Sequence, residues 1–119
     1  MSDIRFDVIA LGNAIMDVIA SVDDQFLTAM DIPKARTNLI DEARAEQLYK
    51  ALPVDRIEVS GGSAGNTIAC LRSLGGRAAF MGKVADDALG AAYVSDMEAI
   101  GAVFSGAPLI GGASTARSM

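Results

Sequence analysis

The segment Gly61-Gly62-Ser63-Ala64-Gly65-Asn66-Thr67 joins a short alternating stretch at 57–59 to an apolar helical pattern. Adjacent glycines permit backbone angles that other residues resist, and they let a ligand approach the main chain closely. A helix that begins here directs unpaired N–H groups into the loop, and Asn66 adds an amide that both donates and accepts. The segment therefore predicts a strand, a loop that cradles a small polar ligand, and a helix. Close packing of strand and helix, which also needs small residues, is the alternative.

The composition limits the kinds of function that a protein with this loop can have. The 119 residues suffice for one domain with a core. Ten basic and fifteen acidic residues give a net charge of −5, which argues against a nucleic-acid partner. No apolar run approaches the ~20 residues that span a bilayer, and the polar N-terminus is not a secretory signal, so we expect a cytoplasmic protein without a membrane partner.

The side chains for several kinds of chemistry are missing from the composition. The chain has no histidine, which excludes triads and zinc sites that need one. Its one cysteine, Cys70, cannot form an internal disulfide. Because Cys70 follows an apolar helical pattern, we predict that it is an inert core thiol.

Apolar runs alternate with helical patterns along the chain. A continuous apolar run predicts a strand covered on both faces at 8–11, and further short strands are predicted at 78–81 and 102–104. Helical periodicity predicts helices over 42–52 with Asp41 as its cap, after the glycine loop, and from Asp86 or Asp87 onward. Residues 25–41 are irregular, with one short strand near 38–40. Strand–helix–strand units dominate, which favours an α/β fold.

A second polar group, Asn13 and Asp17, follows the first predicted strand. Ligands of open α/β sheets bind outside the carboxyl ends of the strands, and an amide beside a carboxylate can hold vicinal hydroxyl groups. Taken alone, a turn asparagine and a solvated aspartate are the commoner reading. The glycine loop lacks the spacing of a P-loop or of a dinucleotide fingerprint, so a neutral polyol suits these residues as well as a phosphate.

Three segments in register resemble the ribokinase/PfkB family of carbohydrate and nucleoside kinases. They are Gly12-Asn13-Ala14-Ile15-Met16-Asp17, the glycine loop at 61–67, and Gly82-Lys83-Val84-Ala85-Asp86-Asp87-Ala88-Leu89-Gly90. Taken alone, the third is a turn with a helix cap. The resemblance covers nearly the whole chain and matches the family's N-terminal part. It implies a three-layer ribokinase-like (Rossmann-like) α/β domain with a small β-sheet lid. The implied lid strands fall within about 17–22, 38–40, 57–59 and 114–119.

The resemblance also implies a function. The family transfers the γ-phosphoryl group of ATP, with Mg²⁺, to a hydroxymethyl group of a sugar or nucleoside. The positions that match its substrate-binding residues are Asn13, Asp17, Gly62 and Asn66, with Gly61 shaping the loop. The segments at 12–17 and 38–41 look most like the adenosine-kinase-like branch. Adenosine is therefore the first substrate expected, and ribose, fructose or a related sugar the second.

The family's catalytic aspartate and ATP site belong to a later signature, D-T-x-G-A-G-D, which does not occur in these residues. We therefore assign no catalytic residue and no metal ligand. Residues 1–119 are expected to be the N-terminal portion of one kinase domain without its ATP-binding portion, inactive alone, while ATP and Mg²⁺ serve the longer protein. A non-catalytic sugar-binding or assembly module is the alternative. Lid strands that pair between subunits would form a homodimer.

Overall fold

The computed structural model describes residues 3–119. The strands are β1 (Val8–Leu11), β2 (Ile15–Ile19), β3 (Ile57–Gly61), β4 (Ala78–Met81), β5 (Val103–Ser105) and β6 (Ala116–Ser118). The helices are α1 (Asp24–Ala29), α2 (Glu42–Ala51), α3 (Ser63–Ser73) and α4 (Ala88–Ala99). Within the described residues, no helix has the length and apolar character needed to cross a membrane.

The strands form two sheets that are joined by the chain at 12–14. One sheet is parallel, in the order β1-β4-β5. The other has the order β3-β2-β6, with β2 antiparallel to β3 and parallel to β6. Strands that alternate with helices thus form an α/β fold, as the sequence predicts.

Helices α3 and α4 cover one face of the parallel sheet. Phe80 and Phe104 project from that face, and with Tyr93 of α4 they form an aromatic cluster with ring centroids 5.8 to 6.1 Å apart. The opposite face is bare in the described residues, with Ile9 58% and Leu11 81% exposed. The prediction that β1 is covered on both faces is therefore wrong for these residues, which contribute the sheet and one helical layer.

The second sheet also has two different faces, because side chains alternate along each strand. Met16 and Val18 of β2 are buried, and Arg117 of β6 lies on the same side. There Arg117 stacks 4.9 Å from the ring centroid of Tyr49 in α2, and its guanidinium donates to Glu46 at 2.8 Å. These contacts hold α2 against the back of the sheet. The front carries Asp17 among more exposed apolar side chains.

The predicted helix caps form because their carboxylates accept hydrogen bonds from the first turn. Asp41 accepts from the N–H of Arg44 at 2.8 Å, and Asp87 accepts from that of Gly90 at 2.7 Å. The structure therefore selects Asp87, rather than Asp86, as the cap of α4.

Two predictions for the irregular stretch at 25–41 are wrong. No strand forms at 38–40, because the neighbours of β2 are β3 and β6 and no described strand pairs with this segment. Instead, a helix that the sequence did not predict, α1, begins after Asp23, whose carboxylate accepts from the N–H of Phe26 at 2.8 Å. The other three predicted lid segments do enter one sheet, as β2, β3 and β6, although β2 begins and ends earlier than predicted.

Cys70 is exposed, so its prediction as a core thiol is wrong. Ile68 of the same helix is fully buried against the sheet. A residue two positions along a helix points about 200° away, onto the far side. The helical pattern was correct, but the face assigned to Cys70 was not.

Candidate functional site

The candidate site begins where the parallel strands end. The N–H of Gly12 donates to the carbonyl of Met81 at 3.1 Å, which continues the pairing of β1 with β4 by one residue. A Cβ at Gly12 would lie 2.6 Å from the Cβ of Ala64, so glycine is needed there for α3 to approach β1. The chain then turns through Asn13 into the second sheet.

A cavity of about 500 Å³ opens between the two sheets at this edge. It is lined by residues from the ends of β1, β4 and β5 and from the beginning of β2 and β6. They are Leu11, Gly12, Asn13, Ala14, Ile15, Met81, Gly82, Lys83, Ser105 and Ala116. The cavity therefore lies outside the carboxyl ends of the parallel strands, where open α/β sheets bind ligands.

Asp17 and Gly61 meet across the antiparallel pair of β2 and β3. Asp17 pairs with Val59, and Gly61 lies two residues further along the same face. A Cβ at Gly61 would overlap the Asp17 carboxylate, whose Cγ would be only 2.6 Å away. The half-buried carboxylate thus rests directly on the Gly61 backbone, and it accepts no hydrogen bond from any side chain or N–H within residues 3–119.

Gly62, the neighbour of Gly61, is in close contact with the backbone of Asn13. Its φ of +85° favours glycine, and a Cβ there would lie 2.8 Å from the carbonyl oxygen of Asn13. The structure therefore brings together four of the predicted site residues, namely Asn13, Asp17, Gly61 and Gly62.

Asn66 is joined to this group through its backbone. Its N–H donates to the carbonyl of Gly62 at 2.8 Å, and its side chain is exposed in the first turn of α3. Gly62 is also the N-cap of α3, and it has no side chain to accept from that turn. The Asn66 side chain is thus open to solvent beside the loop, and no side chain caps the first-turn N–H groups of α3 within the described residues.

Sequence reasoning missed two residues of α4 that contact the end of β3. The hydroxyl of Tyr93 donates to the carbonyl of Gly61 at 3.2 Å, and a carboxylate oxygen of Asp96 accepts from the N–H of Ser60 at 2.9 Å. Burial, and then the charge of Asp17, raise the pKa of Tyr93 to about 12. The spacing of Tyr93 predicted only an apolar helix face, so no local signal distinguished it from a core residue.

The segment at 82–90 binds the chain that leads into β6 through hydrogen bonds. The buried Thr115 donates to the Asp87 carboxylate through its N–H at 2.8 Å and its hydroxyl at 2.7 Å, and the Ala85 N–H donates to that hydroxyl at 2.9 Å. Burial raises the pKa of Asp87, but the hydrogen bonds from Thr115 and Gly90 outweigh it, and the pKa is lowered. In the same segment, the exposed Lys83 donates to the carbonyl of Ala107 at 2.6 Å.

The described residues contain no group of three or more aspartate, glutamate, cysteine or histidine side chains that could hold a metal ion. Asp17 is the carboxylate of the candidate site, and the other polar groups around it are an amide and backbone atoms. Such a set suits hydroxyl groups, which a carboxylate accepts from and an amide pairs with in both directions. It does not form a magnesium site.

Comparison with solved structures gives the class of protein to which this fold corresponds. The chain is similar over 97% of its length to a probable sugar kinase protein from Rhizobium etli CFN 42, with 49% identity and a TM-score of 0.81. It is equally similar in structure to the adenosine kinase from Sinorhizobium meliloti, with 52% identity over 97% of the chain and a TM-score of 0.81. These matches cover 34% and 35% of those two kinases, so the chain spans about a third of their length.

A more distant structure has the same fold. The adenosine kinase from Schistosoma mansoni in complex with adenosine shares 18% identity over 92% of this chain and 33% of its own, with a TM-score of 0.76. No protein-family model and no curated protein matches the chain. The predicted resemblance is therefore confirmed through the solved structures. Over nearly its whole length the chain resembles part of the sugar and adenosine kinases with a ribokinase-like fold, and this coverage agrees with the prediction of an N-terminal part.

Proposed function

We propose that the protein containing this chain transfers the γ-phosphoryl group of ATP to a hydroxymethyl group of a sugar or nucleoside. Adenosine is the first candidate, and this chain supplies the substrate-binding half. The observation that carries the proposal is the Asp17 carboxylate. It lies two residues along β2 from Ile15, which lines the cavity, rests on Gly61, and accepts no hydrogen bond from the described residues. Vicinal hydroxyl groups of a ribose would supply the missing donors.

The other site residues would add further contacts to the substrate. Asn13 would present its amide from the mouth of the cavity, and Asn66 would reach over the loop from the first turn of α3. Gly61 and Gly62 leave the space in which the sugar ring approaches the backbone. Such positioning contributes much of phosphoryl-transfer catalysis, since the protein does little covalent chemistry in these reactions.

ATP and Mg²⁺ are assigned in this proposal to residues beyond the 119 of this chain, because the donor set around Asp17 does not fit a metal ion. The chain alone would then bind acceptor weakly and transfer no phosphoryl group. The setting proposed is the cytoplasm. The exposed apolar side chains beside Asp17, Ile19 and Ile57 among them, would allow the front of the second sheet to pair with a second copy.

The identity of the phosphoryl acceptor distinguishes an adenosine kinase from a sugar kinase. The identity of 52% to an adenosine kinase favours adenosine, while that of 49% to a probable sugar kinase keeps ribose and fructose as the second candidate. A protein that binds a sugar or nucleoside without phosphorylating it would be the non-catalytic alternative.

The test is a kinase assay on the intact protein with ATP and each of adenosine, ribose and fructose. We expect phosphorylation of adenosine and a loss of about 10- to 100-fold in kcat/KM in Asp17→Asn, because hydrogen bonds to a charged group are replaced by weaker ones. Asp55→Asn is the matched control, since Asp55 is an exposed aspartate after α2. Preference for ribose or fructose would select the second candidate. Phosphorylation of none of the three, or equal activity of both variants, would contradict the proposal.

A further inference from the structure

The end of β3, just before the glycine loop, is held by α4 through consecutive residues. The N–H of Ser60 donates to Asp96 at 2.9 Å, and the carbonyl of Gly61 accepts from Tyr93 at 3.2 Å. Tyr93 and Asp96 are three residues apart, so they lie on the same side of the helix. Because β3 is at the edge of its sheet within residues 3–119, an outward-facing backbone group such as the Ser60 N–H has no strand to pair with there. Helix α4 supplies a partner for that N–H through Asp96, and it also donates to the adjoining Gly61 carbonyl through Tyr93.

The hydroxyl of Tyr93 is fixed in position by its surroundings. Tyr93 is fully buried, and its ring packs against Phe80 and Phe104 at centroid distances of 5.8 and 6.1 Å. With a pKa near 12, raised by burial and then by Asp17, the hydroxyl keeps its proton and remains a donor at neutral pH.

The third glycine of the loop motif faces the same hydroxyl. A Cβ at Gly65 would lie 2.5 Å from the Tyr93 oxygen and 3.2 Å from Cε of Met97. Both distances are shorter than van der Waals contact. Gly65 is therefore explained by the space that the Tyr93 hydroxyl needs, rather than by the approach of a ligand.

The backbone that this hydroxyl holds is the one on which the site residues rest. The Asp17 carboxylate lies against Gly61, and the Asn13 carbonyl lies against Gly62. Gly61 is paired with Ile15 of β2, and the Gly62 carbonyl accepts from the N–H of Asn66 at 2.8 Å. Glycine peptides rotate with little steric resistance, so a further contact restricts the orientation of this pair. The hydrogen bond from Tyr93 to the Gly61 carbonyl is such a contact, and it comes from a buried side chain that does not line the cavity.

We propose that Tyr93 is a positioning residue of the substrate site, whose hydroxyl orients the Gly61-Gly62 backbone and thereby the Asp17 carboxylate and the backbone of Asn13. This inference rests on the proposed function. It adds a residue that touches no substrate, and it assigns the link between α4 and the glycine loop a role in acceptor binding.

The test compares Tyr93→Phe with Tyr49→Phe in the intact protein. Tyr49 is the matched control, because its hydroxyl also donates one side-chain hydrogen bond, to Glu58 at 2.5 Å, but on the back of the second sheet. We expect Tyr93→Phe to raise the KM for the acceptor about 3- to 10-fold, the effect of losing one hydrogen bond. The KM for ATP should stay unchanged, and Tyr49→Phe should change neither value by more than about twofold. An unchanged acceptor KM in Tyr93→Phe, or an equal rise in both variants, would overturn the proposal.

Hydrogen exchange gives a readout that does not depend on catalysis. Amides at 60–64 should exchange faster in Tyr93→Phe than in the unmodified protein, whereas Tyr49→Phe should leave them unchanged, since the loop loses its hold only in the first variant. Unchanged exchange at 60–64 in Tyr93→Phe would overturn the inference even if the kinase assay succeeds. If the unmodified protein phosphorylates none of the acceptors, the proposed function fails, while exchange still decides whether the hydroxyl orients the loop.

Discussion

At the scale of single residues, each of the three glycines of the loop is in close contact with a different neighbour. Gly61 leaves room for the Asp17 carboxylate, Gly62 adopts a positive φ beside Asn13, and Gly65 leaves room for the Tyr93 hydroxyl. A glycine-rich segment thus reflects packing and site geometry together. The two explanations offered by the sequence, a ligand cradle and close packing, apply to different residues of the same motif.

Gly65→Ala should destabilise the protein by about 1–3 kcal/mol, the usual cost of forcing an extra methyl group into a packed core. The cost should fall in a Tyr93→Phe background, because the hydroxyl that the new Cβ would meet is gone. There the helix propensity of alanine, about 1 kcal/mol better than glycine, offsets the remaining contact with Met97. Urea unfolding of the two single variants and the double variant measures this coupling. Strictly additive effects would contradict the predicted contact.

At the scale of elements, α4 connects parts of the chain that are far apart in sequence. Its cap, Asp87, binds Thr115 ahead of β6, and its second and third turns reach Gly61 through Tyr93 and Ser60 through Asp96. The strands β3 and β6 on either side of β2 are therefore both anchored to one helix. Asp17 lies between them, so α4 sets the position of the whole front of the second sheet.

Asp87→Asn should lower the free energy of unfolding by about 1–3 kcal/mol, because a buried N–H of Thr115 loses its acceptor. Asp86→Asn is the control, since Asp86 is an exposed aspartate next to it. The folded pKa of Asp87 is lowered, so its carboxylate stabilises the fold above its unfolded pKa, and this contribution is lost as the pH falls through the folded value. The difference between Asp87→Asn and the unmodified protein should therefore shrink below about pH 4. Urea unfolding at pH 7 and pH 3 checks both statements, and a difference that is the same at both pH values would contradict the second.

At the scale of the whole molecule, the parallel sheet has one covered and one bare face. Ile9, Leu11 and Val103 lie on the bare face and are well exposed, whereas Phe80 and Phe104 on the other face pack under α4. Contiguous apolar surfaces of this kind promote association.

The 119-residue chain by itself should therefore self-associate, and Leu11→Lys should weaken that association because it places a charge on the bare face. Leu39→Lys is the control, as Leu39 is 98% exposed but lies in the loop at 38–40. Sedimentation velocity over a range of concentrations measures the effect. A chain that stays monomeric, or equal relief by both substitutions, would contradict this account.

Local signals predicted much of the fold. Asp41 caps its helix as predicted, Asp87 is one of the two caps predicted for α4, and the spacing of Leu89, Tyr93 and Met97 marks the buried side of α4. Local signals failed at 25–41, where the Asp23 cap was overlooked and a strand was expected at 38–40. A strand needs a neighbour to pair with, and the sequence of a short segment does not show whether one is near.

The sequence by itself determined the α/β alternation, the Asp41 cap of α2 and the kinds of side chain that can hold a polyol, since these depend on residue types and on neighbours within one or two turns. Tertiary structure alone decided that Asp17 rests on Gly61, that Tyr93 donates to the Gly61 carbonyl across 32 residues of sequence, and that Asp87 anchors Thr115 across 28. The physical reason is that strand pairing and helix packing bring distant residues together. The chemistry of each residue can be read from its type, but its partner depends on where the sheets and helices place it.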